Sequence, residues 1–333
     1  MKVENILCCD WGTSSFRLRL LNLKGEVVAE TKSDQGVLAT HGLWEKLEEA
    51  EATKRFNFYL AYIRNRMASL HCNDAIDVLS LPIVISGMAS SSIGMKNLPY
   101  THLPFNLNGS VGYEVIEDEN KIPILLVTGV ASDEDIMRGE ETQIMGLFHL
   151  STLQEILPSK GLYILPGTHS KHIEIENGLM VNFKTFITGE LFQLLQAEGT
   201  IAKSIIASKG DTIYDSKYAT AFEKGVMQSK NGLLQNELFK IRANDILNKV
   251  SKEQNYYYLS GLLIGNELAY LAAGDQLKNK IVIGASDQLA SYYNQALITL
   301  GLEADSIIIE SAQFEKATAM GQLAVYKNYA QIK

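Results

Sequence analysis

Two short runs of this chain combine glycine with hydroxyl side chains in a way that could hold phosphate. Gly12-Thr13-Ser14-Ser15 and Gly167-Thr168-His169-Ser170 each follow an apolar stretch and precede an alternating one. A tight turn of this composition leaves backbone N–H groups and hydroxyls free for phosphate oxygens. Gly12, Thr13, Ser14, Gly167, Thr168 and Ser170 are therefore the expected phosphate-lining residues. Asp10 stands just before the first turn, where a carboxylate could hold Mg²⁺ or its waters beside terminal phosphates. An aspartate that merely caps a turn would look the same. The matching position of the second run is Leu165, so the metal-side carboxylate belongs to the first run alone. Lys171 follows the second turn and could neutralise a phosphate, or lie exposed on a strand.

A second constellation is ASDEDIMRGEETQIMGL, residues 131–147. Asp133, Glu134, Asp135, Glu140 and Glu141 surround Arg138. Ser132 and Asp135 have capping-box spacing. An enzyme that activates a hydroxyl needs a carboxylate to orient it and accept its proton, which makes Asp135, Glu140 and Glu141 candidates. A solvated acidic helix face would have the same composition. A third constellation is IVIGASDQLASYYNQAL, residues 281–297, where an apolar strand enters Gly284-Ala285-Ser286 and a helix begins. Small residues at that junction would let a flat ring such as adenine approach the backbone, although any tight strand–helix connection would look alike.

These residues need strands and turns to place them. Ile6–Asp10, Ser15–Leu23 and Val27–Thr31 read as an antiparallel meander, repeated between Leu162 and Phe186, with Lys24-Gly25 and Asn177-Gly178 as hairpin turns. Two such hairpins suggest two related domains closing on a nucleotide. A long helix is expected from Leu43 to about Leu70, and short buried strands at Pro82–Ser86 and Ile122–Thr128. The latter leads to a helix ending near Leu150. Five helical stretches are expected near Glu190–Ser208, Tyr214–Gln228, Leu233–Val250, Asn255–Ala273 and Ser286–Leu300. Strands at Lys280–Ile283 and Ser306–Ile309 are interleaved, and a last helix starts near Ala312. The polar stretch Leu98–Asn120 reads as a connection, giving domains at 1–110 and 111–333.

At 333 residues with 46% apolar content, the chain can bury two cores. A net charge of −8 disfavours nucleic acid or an anionic membrane surface as partner. No apolar run is long enough to span a bilayer, and MKVENILCCDWG lacks the zones of a secretory signal. Cys8, Cys9 and Cys72 have no metal or redox spacing, and free buried thiols in the cytoplasm are expected. Adjacent Cys8 and Cys9 should face opposite sides of a strand. A homodimer is one compatible assembly.

Taken together, DWGTSSFRLRL, DIMRGEETQ, LPGTHSK, FKTFITGELF and the strand–GAS–helix run with YNQAL resemble the 2-dehydro-3-deoxygalactonokinase family, in the family's order from about residue 6 to 325. The resemblance implies an α/β fold of two actin-like (ribonuclease H-like) ATPase domains with an interdomain active-site cleft. It implies transfer of a phosphoryl group from ATP, with Mg²⁺, to the 6-hydroxyl of 2-dehydro-3-deoxy-D-galactonate or a related 2-keto-3-deoxy sugar acid. Family members carry a run like SGMxGSRxGWxEAPY where this chain has SGMASSSIGMKNLPY, residues 86–100. Ser92 replaces Arg, Met95 replaces Trp, and His172 stands where Trp is usual after GTHSK. Gly87, Met88 and Ser91 are kept and are expected at the sugar acid, with Arg17 and Arg138 among the cations for its carboxylate. Lys96 and Lys184 are further cations of this kind. Two other readings are an actin-like-superfamily phosphatase acting on polyphosphate or guanosine tetraphosphate, and a non-catalytic nucleotide-dependent switch. The apolar Leu165 disfavours the first, and Asp10 with the acidic run disfavours the second.

Overall fold

The computed structural model describes residues 3–47, 52–73, 76–110, 112–207, 213, 215–273, 280–303 and 306–332. The chain divides into two compact units. Unit 1 is Met1–Leu157 with Glu176–Asn182 and Glu315–Lys333, and unit 2 is Pro158–Ile175 with Phe183–Phe314. Residue 110, the boundary expected from sequence, falls inside unit 1.

Unit 1 opens with an antiparallel meander of β1 (Asn5–Trp11), β2 (Phe16–Asn22) and β3 (Val27–Ser33). Helices α1 (Val37–Trp44) and α2 (Ala52–Met67) follow; the helix expected from Leu43 to about Leu70 falls on α2, and α1 precedes it. Residues 48–51, between them, lie outside the described ones. Strand β4 (Ile83–Gly87) pairs parallel with β1, and β8 (Pro123–Val127) pairs parallel with β4. The stretch expected as a connection instead holds β5 (Thr101–His102), β6 (Phe105–Asn106) and β7 (Tyr113–Glu117). Its polarity reflects an edge position: β7 ends the first sheet, whose order is β3-β2-β1-β4-β8-β7. Strands β9 (Val130–Ala131) and β10 (Ile136–Met137) then lead into α3 (Glu140–His149).

Unit 2 repeats this plan. Strands β11 (Lys160–Leu165), β12 (Ser170–Glu176) and β13 (Leu179–Phe186) begin it. Helices α4 (Thr188–Ala197), α5 (Gly199–Ala202), α6 (Ser216–Ser229), α7 (Leu234–Ile246) and α8 (Lys252–Ala273) follow. Strand β14 (Lys280–Gly284), α9 (Asp287–Leu300), β15 (Ser306–Ile309) and α10 (Ser311–Ile332) complete the chain. The sheet order is β15-β14-β11-β12-β13-β6, with β11, β14 and β15 parallel. In each half the meander lies in the order third, second, first strand, followed by two strands parallel to the first. No described helix is long and apolar enough to cross a membrane.

The central strands are buried on both faces, so they read as continuous apolar runs. Cys9 joins the cluster of Leu7, Trp11, Leu18, Ile83 and Ile85, while Cys8 points the other way, its thiol toward the carbonyl of Ala319 on α10. Cys8 and Cys9 are buried free thiols, and burial pushes both well above the ordinary thiol range. On the same side, Gln322 of α10 donates to Cys9 O at 2.6 Å and Ser86 Oγ at 2.9 Å. Helices α3 and α10 touch backbone to backbone: a Cβ on Gly146 would lie 1.6 Å from Ala317 O, and one on Gly321 2.0 Å from Thr142 O. The start of α3 is thereby fixed against its own unit.

Candidate active site

The first turn projects from the end of β1. Gly12 N–H donates to Ser15 O at 2.9 Å, and Thr13, Ser14 and Ser15 are exposed. Helix α1 docks on it, with Val37 N–H to Gly12 O at 2.9 Å and Leu38 N–H to Thr13 O at 3.1 Å. That contact requires glycine at position 36, where a Cβ would stand 2.3 Å from Thr13 O. Asp10 is half-buried and pairs with Arg17 of β2 and Ser86 of β4. Burial raises its proton affinity, and Arg17 and Arg19 pull it back down. Among the described residues no group of three or more His, Cys, Asp or Glu could hold a metal. A lone carboxylate beside an open turn fits an ion such as Mg²⁺, which keeps most of its shell as water and phosphate oxygens.

The ends of β1 and β4 meet the start of α3. Gly87, paired with Trp11, has φ +86°, and a Cβ there would lie 2.7 Å from Trp11 O. Gly139 has φ +112°, and its own Cβ position is 3.4 Å from Gly87 Cα. This positive φ ends β10 and turns the chain into α3, so the helix begins at Glu140. Ser132 caps no helix; its Oγ accepts the N–H of Asp135 at 2.9 Å and of Glu134 at 3.2 Å, closing the turn between β9 and β10. Half-buried Asp135 is placed in that turn, and Glu140 and Glu141 at the helix N-terminus. Glu140 accepts Arg138 N–H at 3.2 Å. Glu141 is fully buried, accepting Gly139 N–H at 2.6 Å and the Thr142 hydroxyl at 2.8 Å. Burial, and then the charge of Glu140, pushes its carboxyl up to about 7. That value suits a group that must take a proton near neutral pH.

Unit 2 contains a cavity of about 430 Å³. Its wall combines Gly167 and Thr168 of the second turn, Thr188, Gly189, Phe192 and Gln193 of α4, part of α8, and Gln288, Leu289, Tyr292 and Tyr293 of α9. The wall pairs aromatic and aliphatic surfaces with a few amides and hydroxyls, as small-molecule sites do. Helix α4 docks on this turn as α1 docks on the first: Glu190 N–H donates to Thr168 O at 3.0 Å, and a Cβ on Gly189 would lie 2.4 Å from Gly167 O.

The family model for 2-keto-3-deoxy-galactonokinase matches residues 10–322, from Asp10 to Gln322. The chain belongs to the 2-keto-3-deoxy-galactonokinase family. It is 31% identical over 310 residues to a Rhizobium meliloti protein assigned as a 2-dehydro-3-deoxygalactonokinase, covering 91% of this chain and 92% of the relative. It is 30% identical over 234 residues to the 2-dehydro-3-deoxygalactonokinase of Escherichia coli, covering 69% of this chain and 75% of the relative. A crystal structure of a Sinorhizobium meliloti protein assigned to the same activity matches with a TM-score of 0.76 at 27% identity, covering 97% of this chain and 96% of that one. The chain is thus a sugar-acid kinase with the α/β, actin-like fold of that family.

The expected residues separate into those exposed at the turns, at the start of α3 or in the cavity wall, and those buried behind them. Gly167 and Thr168 wall the cavity. Ser170 does not; it is fully buried and gives its hydroxyl to Glu267 Oε1 at 2.6 Å. Lys171 is also buried, donating to Thr185 Oγ1 at 2.7 Å. Gly284, Ala285 and Ser286 are not part of the wall: Gly284 packs against Phe314 and Leu165, and Ala285 is buried in the core. The following helix supplies the wall instead, through residues 288, 289, 292 and 293 on one face. Gly36, Gly189 and Glu267 escaped the sequence reading. The two glycines share a signal, each following the third strand of its meander, whereas a single Glu on an apolar helix gives none.

The run after β4 is built differently from the expectation of a ligand-facing loop. Met95 is buried in the unit 1 core, so its replacement of Trp is a packing difference. Ser92 is exposed, and Met88 packs partly on the core. Arg138 gives Nη1 to Ser90 Oγ at 2.5 Å and Nη2 to Leu98 O at 3.3 Å, with its guanidinium 4.3 Å from the Tyr100 ring centroid. Its two forks thus brace the loop. Ser91 Oγ and Arg138 Nε are buried there without hydrogen-bond partners. Lys96 pairs with Glu114 at 2.6 Å, and the Lys184 ammonium is 5.0 Å from the centroid of the Tyr270 ring. Arg17, half-buried and facing Asp10 in register, stands 3.9 Å from Glu30, whose carboxylate is held more closely by Arg19 at 2.6 Å.

Proposed function

We propose that this protein transfers the terminal phosphoryl group of ATP to the 6-hydroxyl of 2-dehydro-3-deoxygalactonate or a closely related 2-keto-3-deoxy sugar acid. The observation that carries the chemistry is the Glu140–Glu141 start of α3, held against Gly87, with Glu141 poised at about 7. The hydroxyl attacks the phosphorus in line and loses its proton to the Glu140–Glu141 pair, entered from the half-buried Glu140 side. Asp10 would hold Mg²⁺, directly or through water, and the ion would neutralise charge on the phosphates. Within unit 1, Thr13 and Ser14 are exposed and offer N–H and hydroxyl groups to phosphate. The cavity of unit 2, with Gly167 and Thr168 in its wall, takes the nucleotide, with Tyr292 and Leu289 against the base. Arg17 is the cation best placed for the sugar-acid carboxylate, because its ion pair is the loosest of those described.

The test is ADP release with ATP and a panel of 2-keto-3-deoxy acids, run on the parent, Glu140→Gln and Glu141→Gln. The parent should turn over the galactonate derivative or a near relative. Glu141→Gln should lose about 10²–10⁴-fold in kcat. Glu140→Gln removes the charge that raises Glu141, so the acid limb of the kcat profile should move to lower pH. An unaltered kcat and pH profile in Glu141→Gln would remove the proton-acceptor role.

A further inference from the structure

We propose that Glu267 is a positioning residue for the nucleotide: its buried carboxylate, on α8, ties that helix to the second turn, α4 and α9, the other parts of the wall of the unit 2 cavity. This rests on the reading that the cavity takes the nucleotide. Glu267 lies on α8 and is 1% exposed. Its Oε1 accepts the Ser170 hydroxyl at 2.6 Å and faces His172 Nε2 at 2.8 Å. Its Oε2 accepts the Tyr293 hydroxyl at 2.8 Å and the Thr188 hydroxyl. A carboxylate has about four lone-pair sites, and four donor groups meet this one.

Those groups come from different elements: Ser170 and His172 from β12, Thr188 from α4 and Tyr293 from α9. Thr188 and Tyr293 themselves line the cavity, and Ser170 ends the turn that begins with cavity residues Gly167 and Thr168. Glu267 is not in the wall, so it acts on a ligand only through these neighbours. Leaving a buried carboxylate short of donors is costly, which is why the four groups hold one arrangement. Burial and the adjacent carboxylate push the Tyr293 hydroxyl up, so it stays a donor. His172 is held on its other side as well. Its Nδ1 meets the Tyr270 hydroxyl at 2.7 Å, so both ring nitrogens are held.

The experiment measures binding of a non-hydrolysable ATP analogue by calorimetry, KM for the sugar acid, and thermal melting, for Glu267→Gln and His172→Phe. The amide brings a donor where donors already converge, so at least one of the four groups must turn away. Glu267→Gln should raise the analogue Kd about tenfold, with KM for the sugar acid within about twofold and melting still cooperative. His172→Phe, which removes one donor and touches no wall residue's ligand face, should raise Kd about threefold in the same selective way. If Glu267→Gln does not fold, His172→Phe decides alone. Unchanged analogue affinity in a folded variant, or equal weakening toward nucleotide and acid, overturns the positioning role. Leu289→Trp, which fills the cavity, checks the underlying reading separately: unchanged analogue affinity there would show that the nucleotide binds elsewhere, whatever Glu267 does.

Discussion

Asp10 and Glu141 are both carboxylates whose proton affinity burial raises, but their surroundings divide their roles. Asp10 has Arg17 and Arg19 to favour its charged form and an open turn beside it. Replacing it by Asn keeps the shape and removes the charge offered to a metal ion. A kcat loss of about 10²–10³-fold with little change in melting temperature is expected, and near-normal turnover at saturating Mg²⁺ would contradict the assignment. Glu141 lacks a cation and is pushed from 4.5 to about 7. The folded state therefore holds a proton that the unfolded state releases between these values, so this residue costs stability as pH rises through that window. The cost is on the order of 3 kcal/mol at pH 8. Glu141→Gln should thus melt higher than the parent at pH 8, with the advantage gone below about pH 4.5. Melting curves across that range check it, and a variant less stable at pH 8 than at pH 4 relative to the parent would refute it. Asp10 and the GEE run were legible in the sequence because their types and spacing signal chemistry. Ser170, Lys171 and Arg138 misled because the same polar types serve as buried ties, and only the fold shows which partner claims them.

The glycine–hydroxyl turns are held by the helix that follows each meander. Neither Gly12 nor Gly167 has a positive φ, and a Cβ on them would come no closer than 3.3 Å and 4.0 Å to its neighbours. The steric demand lies instead at Gly36 and Gly189, which touch the turn backbones. Gly36→Ala and Gly189→Ala should each lose about 1–3 kcal/mol in denaturant unfolding, because backbone must shift. Gly12→Ala and Gly167→Ala should fold normally and bind an ATP analogue more weakly, because only the approach of phosphate is obstructed. If the alanines at 12 and 167 lose stability while those at 36 and 189 do not, this account of the turns is wrong. Most strands and helices were readable from alternation, turn residues and apolar runs. The polar edge strands β5 to β7 were not, since an edge strand and a loop expose similar side chains.

At the scale of the whole chain, one plan is used twice and then specialised. Both halves place a meander in the same order beside two parallel strands, which the repeated hairpin foretold. The first half keeps Asp10 and the acidic start of α3, whereas the second replaces the aspartate by Leu165 and carries the cavity. The division into units was not legible, because unit 1 is closed by residues 176–182 and 315–333, far along the chain from its start. Nothing in a local pattern announces that return. The reaction we propose is phosphorylation of a 2-keto-3-deoxy sugar acid at its terminal hydroxyl. The most direct test incubates the protein with ATP, Mg²⁺ and 2-dehydro-3-deoxygalactonate or its stereoisomers and follows products by phosphorus NMR and mass spectrometry. One ADP should form for each sugar-acid 6-phosphate ester. Release of inorganic phosphate without an ester, or no reaction with any member of the series, would contradict it.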